Sequence, residues 1–135
     1  MTEPLRIRVV DDNEDLLKTL SLILKRSGFD VEMAADGCMA VVKYLRGDFN
    51  VTLMDIDLPG INGVEAFRLI REKDPEASVI LMTGHSDEDL INLAISEGAQ
   101  CVLYKPVHIE KIIDAIKNAR TYPQYSEIDT TLVYK

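Results

Sequence analysis

The sequence predicts an α/β domain: a doubly wound, five-stranded parallel sheet of strand order 2-1-3-4-5, with helices on both faces. Three observations carry this. Short apolar runs and amphipathic runs alternate five times along the chain. The third, fourth and fifth apolar runs are almost uninterrupted, as strands covered on both faces must be. Right-handed crossovers leave few topologies for five strand–helix units, and the leading one opens a ligand crevice at the carboxyl ends of strands 1 and 3.

The strands are expected at Leu5 to Val10, Val31 to Ala34, Val51 to Met54, Val79 to Met82 and Cys101 to Tyr104. Glu32 inside the second run suits an edge position. Arg8 sits awkwardly in a central first strand, and it is expected in an exposed early half with its stem snorkelling, or paired with a nearby acid. The first helix follows from Leu16, Leu20, Ile23 and Leu24 at helical spacing, with Gly28 where a C-cap belongs. Cys38, Val41, Val42 and Leu45 make a second stripe, closed by Gly47. Val64, Phe67 and Ile70 make a third, stopped before Pro75. Leu90, Ile91, Ala94 and Ile95 make a fourth, ended by Gly98, with Asp87-Glu88-Asp89 at its positive N-terminal end. Ile109, Ile112, Ile113 and Ile116 make the fifth, with His108 at its start.

With 135 residues the chain is sized for one domain, able to bury a core without staples. That domain is expected over residues 1–120. Residues 121–135, TYPQYSEIDTTLVYK, read as a frayed terminus, a helix extension cut at Pro123, or the stub of a linker. No apolar run approaches a membrane span and no signal peptide opens the chain, so a cytoplasmic protein without membrane contact is expected. Fifteen Lys and Arg against 23 Asp and Glu give a net charge of -8. That charge repels nucleic-acid backbones, so direct nucleic-acid binding is not expected, and it is compatible with a divalent cation. Cys38 and Cys101 lack metal-ligand spacing and are expected as reduced, partly buried thiols. Met33, Met54 and Met82 are expected in or near the core.

The chemistry lies after the strands. The first ends in Asp11-Asp12, the third in Asp55 followed by Ile56-Asp57-Leu58-Pro59-Gly60, the fourth in Thr83-Gly84 and the fifth in Lys105-Pro106. In a parallel sheet these ends share one edge. Any one of them alone is an ordinary turn or cap residue, and Asn13 or an adjacent Asp also suits the first helix cap. Together they make a pocket. Crowded carboxylates repel, and a hard divalent cation such as Mg²⁺ resolves the conflict. An Asp beside that cation is a nucleophile toward phosphorus. The phosphoryl group in flight then needs a cation, an ammonium and a neutral donor on its three oxygens, roles that Mg²⁺, Lys105 and Thr83 fill. Gly84 leaves room for backbone to approach.

The stretches VVDDNEDL, VTLMDIDLPGINGVE, VILMTGHS and CVLYKP resemble the receiver domain of two-component response regulators, a flavodoxin-like fold, over about Leu5 to Ala119. The resemblance implies that Asp55 accepts a phosphoryl group from the phosphohistidine of a sensor histidine kinase. It implies that Asp12, Asp55 and the backbone carbonyl of Asp57 hold Mg²⁺, with Asp11 alongside. Thr83 becomes the switch hydroxyl, Lys105 the phosphate-binding amine, and Lys105–Pro106 a cis bond. Phosphorylation would shift the surface of helix 4, strand 5 and helix 5 toward a downstream protein, an attached output domain or a second receiver. Such a protein is a phospho-acceptor and not a turnover enzyme. The position three before the lysine, often aromatic, is Val102 here, and Tyr104 is expected to point the other way on the strand. Asp57 and His85 fall at rim positions that tune acyl-phosphate hydrolysis in the family, or are simply exposed polar residues. The rival readings fit less well. The Asp55-Ile-Asp57 motif of a haloacid-dehalogenase-type phosphatase belongs on a first strand. A flavin mononucleotide carrier needs a phosphate loop where DDNED stands. A pseudo-receiver usually lacks a signature residue, and none is missing.

Overall fold

The computed structural model describes residues 4–44, 49–84, 88–121 and 133–134. Eleven elements alternate: β1 (Arg6–Val10), α1 (Glu14–Arg26), β2 (Asp30–Ala34), α2 (Gly37–Tyr44), β3 (Val51–Asp55), α3 (Gly63–Lys73), β4 (Val79–Thr83), α4 (Glu88–Ser96), β5 (Cys101–Tyr104), α5 (Ile109–Thr121) and β6 (Val133–Tyr134). All strands pair in parallel, in the order β2-β1-β3-β4-β5-β6. The expected 2-1-3-4-5 sheet is therefore present, with one short strand added. That strand comes from the tail, whose residues 122–132, Pro123 included, lie outside the described residues. It pairs Val133 with Val102 and Tyr134 with Leu103. The β5 edge offers unpaired peptide groups, and Val and Tyr are strand-forming residues.

Consecutive strand residues feed opposite layers because side chains alternate across a sheet. Val10, Met54, Leu81 and Val102 pack with Phe67, Val64 and Ile91 beneath α2, α3 and α4. Val9, Leu53, Ile80 and Leu103 pack with Leu20, Leu24, Ile112 and Ile116 beneath α1 and α5. Every residue of β3 and β4 is buried, whereas β2 is an edge with Glu32 half-buried. Gly28 and Gly98 take φ of +99° and +97° just after α1 and α4, a region that L side chains rarely adopt. Among the described residues no helix is long and apolar enough to cross a membrane.

Four expectations are corrected. Arg8 pairs with an acid as expected, but it is 1% exposed and not snorkelling: its guanidinium donates to Glu32 at 3.4 Å and to the Ala40 carbonyl at 3.3 Å, and stacks 3.6 Å from the Phe49 ring centre. Burial lowers its pKa, with Glu32 opposing. On α1 the buried face is Leu17, Leu20, Ser21 and Leu24, while Leu16 and Ile23 are exposed. Six apolar residues crowd positions 16–24, so helical period alone admits two registers. On α2 the buried residues are Gly37 and Ala40, while Cys38 and Val42 are exposed. A Cβ on Gly37 would lie 2.8 Å from Ile61 Cγ1, so the closest contact is made by small residues that a hydrophobic stripe does not mark. Met33 is likewise exposed at the β2 edge, whereas Cys101, Met54 and Met82 are buried as expected. Leu45, Gly47 and Asp87 lie outside the described residues.

Candidate functional site

Each strand end is fixed by a backbone bond to its neighbour. Asp11 N–H donates to the Ala34 carbonyl at 3.2 Å, Ile56 N–H to Met82 at 2.7 Å, and Lys105 N–H to Thr83 at 2.8 Å. The ladder thus carries Asp11-Asp12, Asp55, Thr83 and Lys105 to one edge. Asn13 caps α1 by accepting from Leu16 N–H, and Asp11 Oδ1 accepts from Asn13 N–H at 2.8 Å, which leaves Asp11 Oδ2 turned to the pocket. On the other side of the acids, Asn62 and Glu65 close a capping box at the start of α3. Gly63 N–H donates to the Ile56 carbonyl at 2.8 Å, and a Cβ there would fall on the Asp55 carbonyl oxygen. The helix start is therefore pressed against the backbone of Asp55 itself.

Asp11, Asp12 and Asp55 bring carboxylate oxygens to within 4.8 Å of one another. Asp11 and Asp55 are buried and Asp12 is exposed. Lys105 Nζ bridges the two buried acids, at 3.0 Å from Asp55 Oδ2 and 3.1 Å from Asp11 Oδ2. Burial pushes the Asp55 carboxyl above its ordinary pKa, held back by the Asp57 amide and by Lys105. Burial pulls Lys105 down, but the bonds and charges of Asp55 and then Asp11 outweigh it, so its pKa is raised. The ammonium is therefore fully protonated at neutral pH. An all-oxygen cluster of three carboxylates with one exposed member suits a hard cation that keeps part of its water shell. The residues present fit Mg²⁺.

The structure brings together every predicted site side chain that it describes. Thr83 is 2% exposed at the end of β4, and Lys105–Pro106 is cis. Asp57 does more than sequence spacing indicated. Its N–H donates to Asp55 Oδ1 at 3.1 Å, while its own Oδ2 lies 3.4 Å from both Thr83 Oγ1 and Gly84 N. His85 lies outside the described residues. His108 stands at the start of α5 as expected, its carbonyl accepting from Lys111 and Ile112. Tyr104 is corrected: it packs against the same core layer as Val102, because residues two apart on a strand share a face. It also lies opposite Thr83 in the β4–β5 register.

A parallel sheet whose carboxyl edge gathers three acids, a hydroxyl and a lysine defines a class of protein with one chemical pocket. The family model for the response regulator receiver domain matches residues 7–117. This chain belongs to that family. It is 34% identical over 109 residues to a response regulator receiver protein of Anaeromyxobacter, covering 81% of this chain and 46% of that one. The chain spans less than half the length of the first curated relatives it matches. Among solved structures, a CheY-like receiver domain from Methanospirillum hungatei superposes with a TM-score of 0.84 at 29% identity, over 87% of this chain and 94% of that one. The response regulator TrrA of Thermotoga maritima, solved in complex with Mg²⁺ and beryllium fluoride, gives 0.76 at 29% identity over 84% and 97%.

Proposed function

We propose that this chain is a phosphorylation switch that accepts one phosphoryl group on Asp55 from a histidine kinase's phosphohistidine. A carboxylate oxygen of Asp55 bonds to phosphorus as the P–N bond breaks, and the donor imidazole nitrogen keeps the electron pair. The observation that carries the reading is the Lys105 ammonium set 3.0 Å from Asp55 and 3.1 Å from Asp11. It offsets the negative charge that would otherwise repel an incoming phosphate, and it stays protonated to hold a phosphoryl oxygen. Asp11, Asp12 and Asp55, with the backbone carbonyl of Asp57, would hold Mg²⁺. That ion supplies charge neutralisation on a phosphoryl oxygen. Thr83 contributes the neutral donor. A complex of the Thermotoga relative with Mg²⁺ and beryllium fluoride supports the same assignment.

Under this reading the chain works in the cytoplasm and is not a turnover enzyme. Each phosphoryl group changes the state of one molecule. Moving Thr83 inward biases a two-state surface of α4, β5 and α5, which engages a downstream protein, an attached output domain or a second copy. Incubation with a small acyl phosphate and Mg²⁺, followed by intact mass, tests it. Wild type should gain one phosphoryl group, while Asp55→Asn and EDTA-treated wild type should gain none. Equal labelling of Asp55→Asn overturns the assignment.

A further inference from the structure

We propose that the Asp57 carboxylate is a stand-in anion: in the unphosphorylated protein it holds the two donors, Thr83 Oγ1 and Gly84 N–H, that a phosphoryl group on Asp55 must claim. The inference rests on the function proposed above and gives Asp57 a part in it. One oxygen, Oδ2, lies 3.4 Å from both donors. A hydroxyl and a peptide N–H each carry a single proton, so neither can serve Asp57 and a phosphoryl oxygen fully at once. The same residue is tied to the acceptor, because its N–H donates to Asp55 Oδ1 at 3.1 Å. Asp57 therefore bridges acceptor and switch from one position in the chain. Both side-chain contacts are long, and Asp57 is exposed, so water can receive the displaced carboxylate and the two contacts together hold the resting state by only about tenfold. A tight, buried anion would lock the resting state; this one is releasable.

Asp57 is thus a positioning residue that acts through Thr83 and Gly84. Phosphorylation exchanges one anion for another on the same donors, and Thr83 and Gly84 move with the exchange. A carboxylate would also disfavour the phosphorylated state by charge alone, so the test must separate contact from charge. Beryllium fluoride with Mg²⁺ serves as the probe, with affinity read by calorimetry on wild type, Asp57→Ala, Asp57→Asn, Thr83→Ala and the Asp57→Ala/Thr83→Ala double variant. The Asp57 carbonyl is unchanged in every variant. Asp57→Ala should tighten binding by roughly tenfold, the effect of releasing donors from a charged acceptor. In the Thr83→Ala background the gain should shrink at least threefold, since one held donor is gone. Asp57→Asn, which keeps an acceptor oxygen without the charge, should fall between. In the ligand-free protein the Gly84 amide resonance should shift in Asp57→Ala and lie nearer wild type in Asp57→Asn. Equal gains with and without the Thr83 hydroxyl would reduce Asp57 to a bystander charge and overturn the proposal, as would an unmoved Gly84 resonance. A wild-type chain that takes up no beryllium fluoride would instead overturn the switch reading itself, together with this inference.

Discussion

Arg8 carries a full charge into the sheet, with Glu32 and Thr52 opposite it on the neighbouring strands. It is enclosed, its Nε has no hydrogen-bond partner among the described residues, and its acid partner Glu32 keeps 44% of its side chain in water. The two ends of this pair are not equivalent. Removing Glu32 strands a buried guanidinium, whereas removing Arg8 leaves a carboxylate that water can solvate. Glu32→Ala should therefore cost roughly 1–2 kcal/mol in urea unfolding. Arg8→Met fills similar volume, keeps a sulfur against the Phe49 ring and should change stability by less than about 1 kcal/mol in either direction. A larger loss for Arg8→Met than for Glu32→Ala would show that the guanidinium is a net stabiliser. Residue-level legibility was uneven for a physical reason. Asp11, Asp12, Asp55, Thr83 and Lys105 could be read because their position after a strand already fixes where they meet. The enclosure of Arg8 depends on Phe49 and Ala40, which reach it only through tertiary packing. The contacts of the Asp57 carboxylate likewise require the segment after β3 to approach Thr83 and Gly84, and no spacing in the sequence encodes that approach.

At the scale of elements, the start of α3 decides the shape of the pocket. Glycine inside a helix would ordinarily gain about 0.5–1 kcal/mol on replacement by alanine, and at the first helical position the gain would be smaller. At Gly63 the added Cβ would meet the Asp55 carbonyl oxygen and lie 2.7 Å from Ile56 Cα, and both are backbone atoms that cannot swing aside. Gly63→Ala should then lose roughly 1–3 kcal/mol, the usual cost of overpacking. It should also lower phosphoryl uptake by Asp55, because the obstructed peptide carries that side chain. Gly28→Ala is the control. Its φ of +99° makes it strained by about 1 kcal/mol, but its Cβ meets nothing within 4 Å, and α1 ends there on the far side from the pocket. Uptake by Gly28→Ala that matches wild type, beside a clear loss in Gly63→Ala, would tie the defect to the Asp55 backbone. Equal losses would mean that uptake tracks stability alone. Strands and helix stops at Gly28 and Gly98 were legible locally, and the α1 cap was narrowed to Asp11, Asp12 or Asn13, of which the structure uses Asn13. The buried faces of α1 and α2 were not: the first has apolar residues to spare, and the second packs through Gly37 and Ala40.

Over the whole molecule, the pocket and the core are coupled because strand ends and strand interiors belong to one sheet. Its order was legible from the crossover rule, since five alternating units leave few arrangements. The added strand β6 was not, because two residues carry no periodicity. The carboxylate cluster joins the ends of β1 and β3, so it exists only while the sheet does, and an ion binding there would stabilise the entire fold by mass action. Two thiols can report this. Cys38 is exposed, whereas Cys101 is buried between the sheet and α5. Burial favours the neutral Cys101 thiol and pushes its pKa up to about 12. At pH 8 it therefore stays protonated as well as covered, and above the ordinary thiol pKa of about 8.5 the fold loses stability as pH climbs toward that value. Labelling with a maleimide at pH 8 should modify Cys38 at once and Cys101 only through unfolding. Mg²⁺ at 100 times its dissociation constant should stabilise the fold by about 2.7 kcal/mol, and so slow Cys101 labelling roughly 100-fold where reclosing outpaces reaction. Cys38 should label at an unchanged rate, and Asp12→Ala should lose most of the Mg²⁺ effect on Cys101. A Cys101 rate indifferent to Mg²⁺ would mean that the three carboxylates do not bind the ion. Slowing of both thiols alike would point to an effect on the reagent.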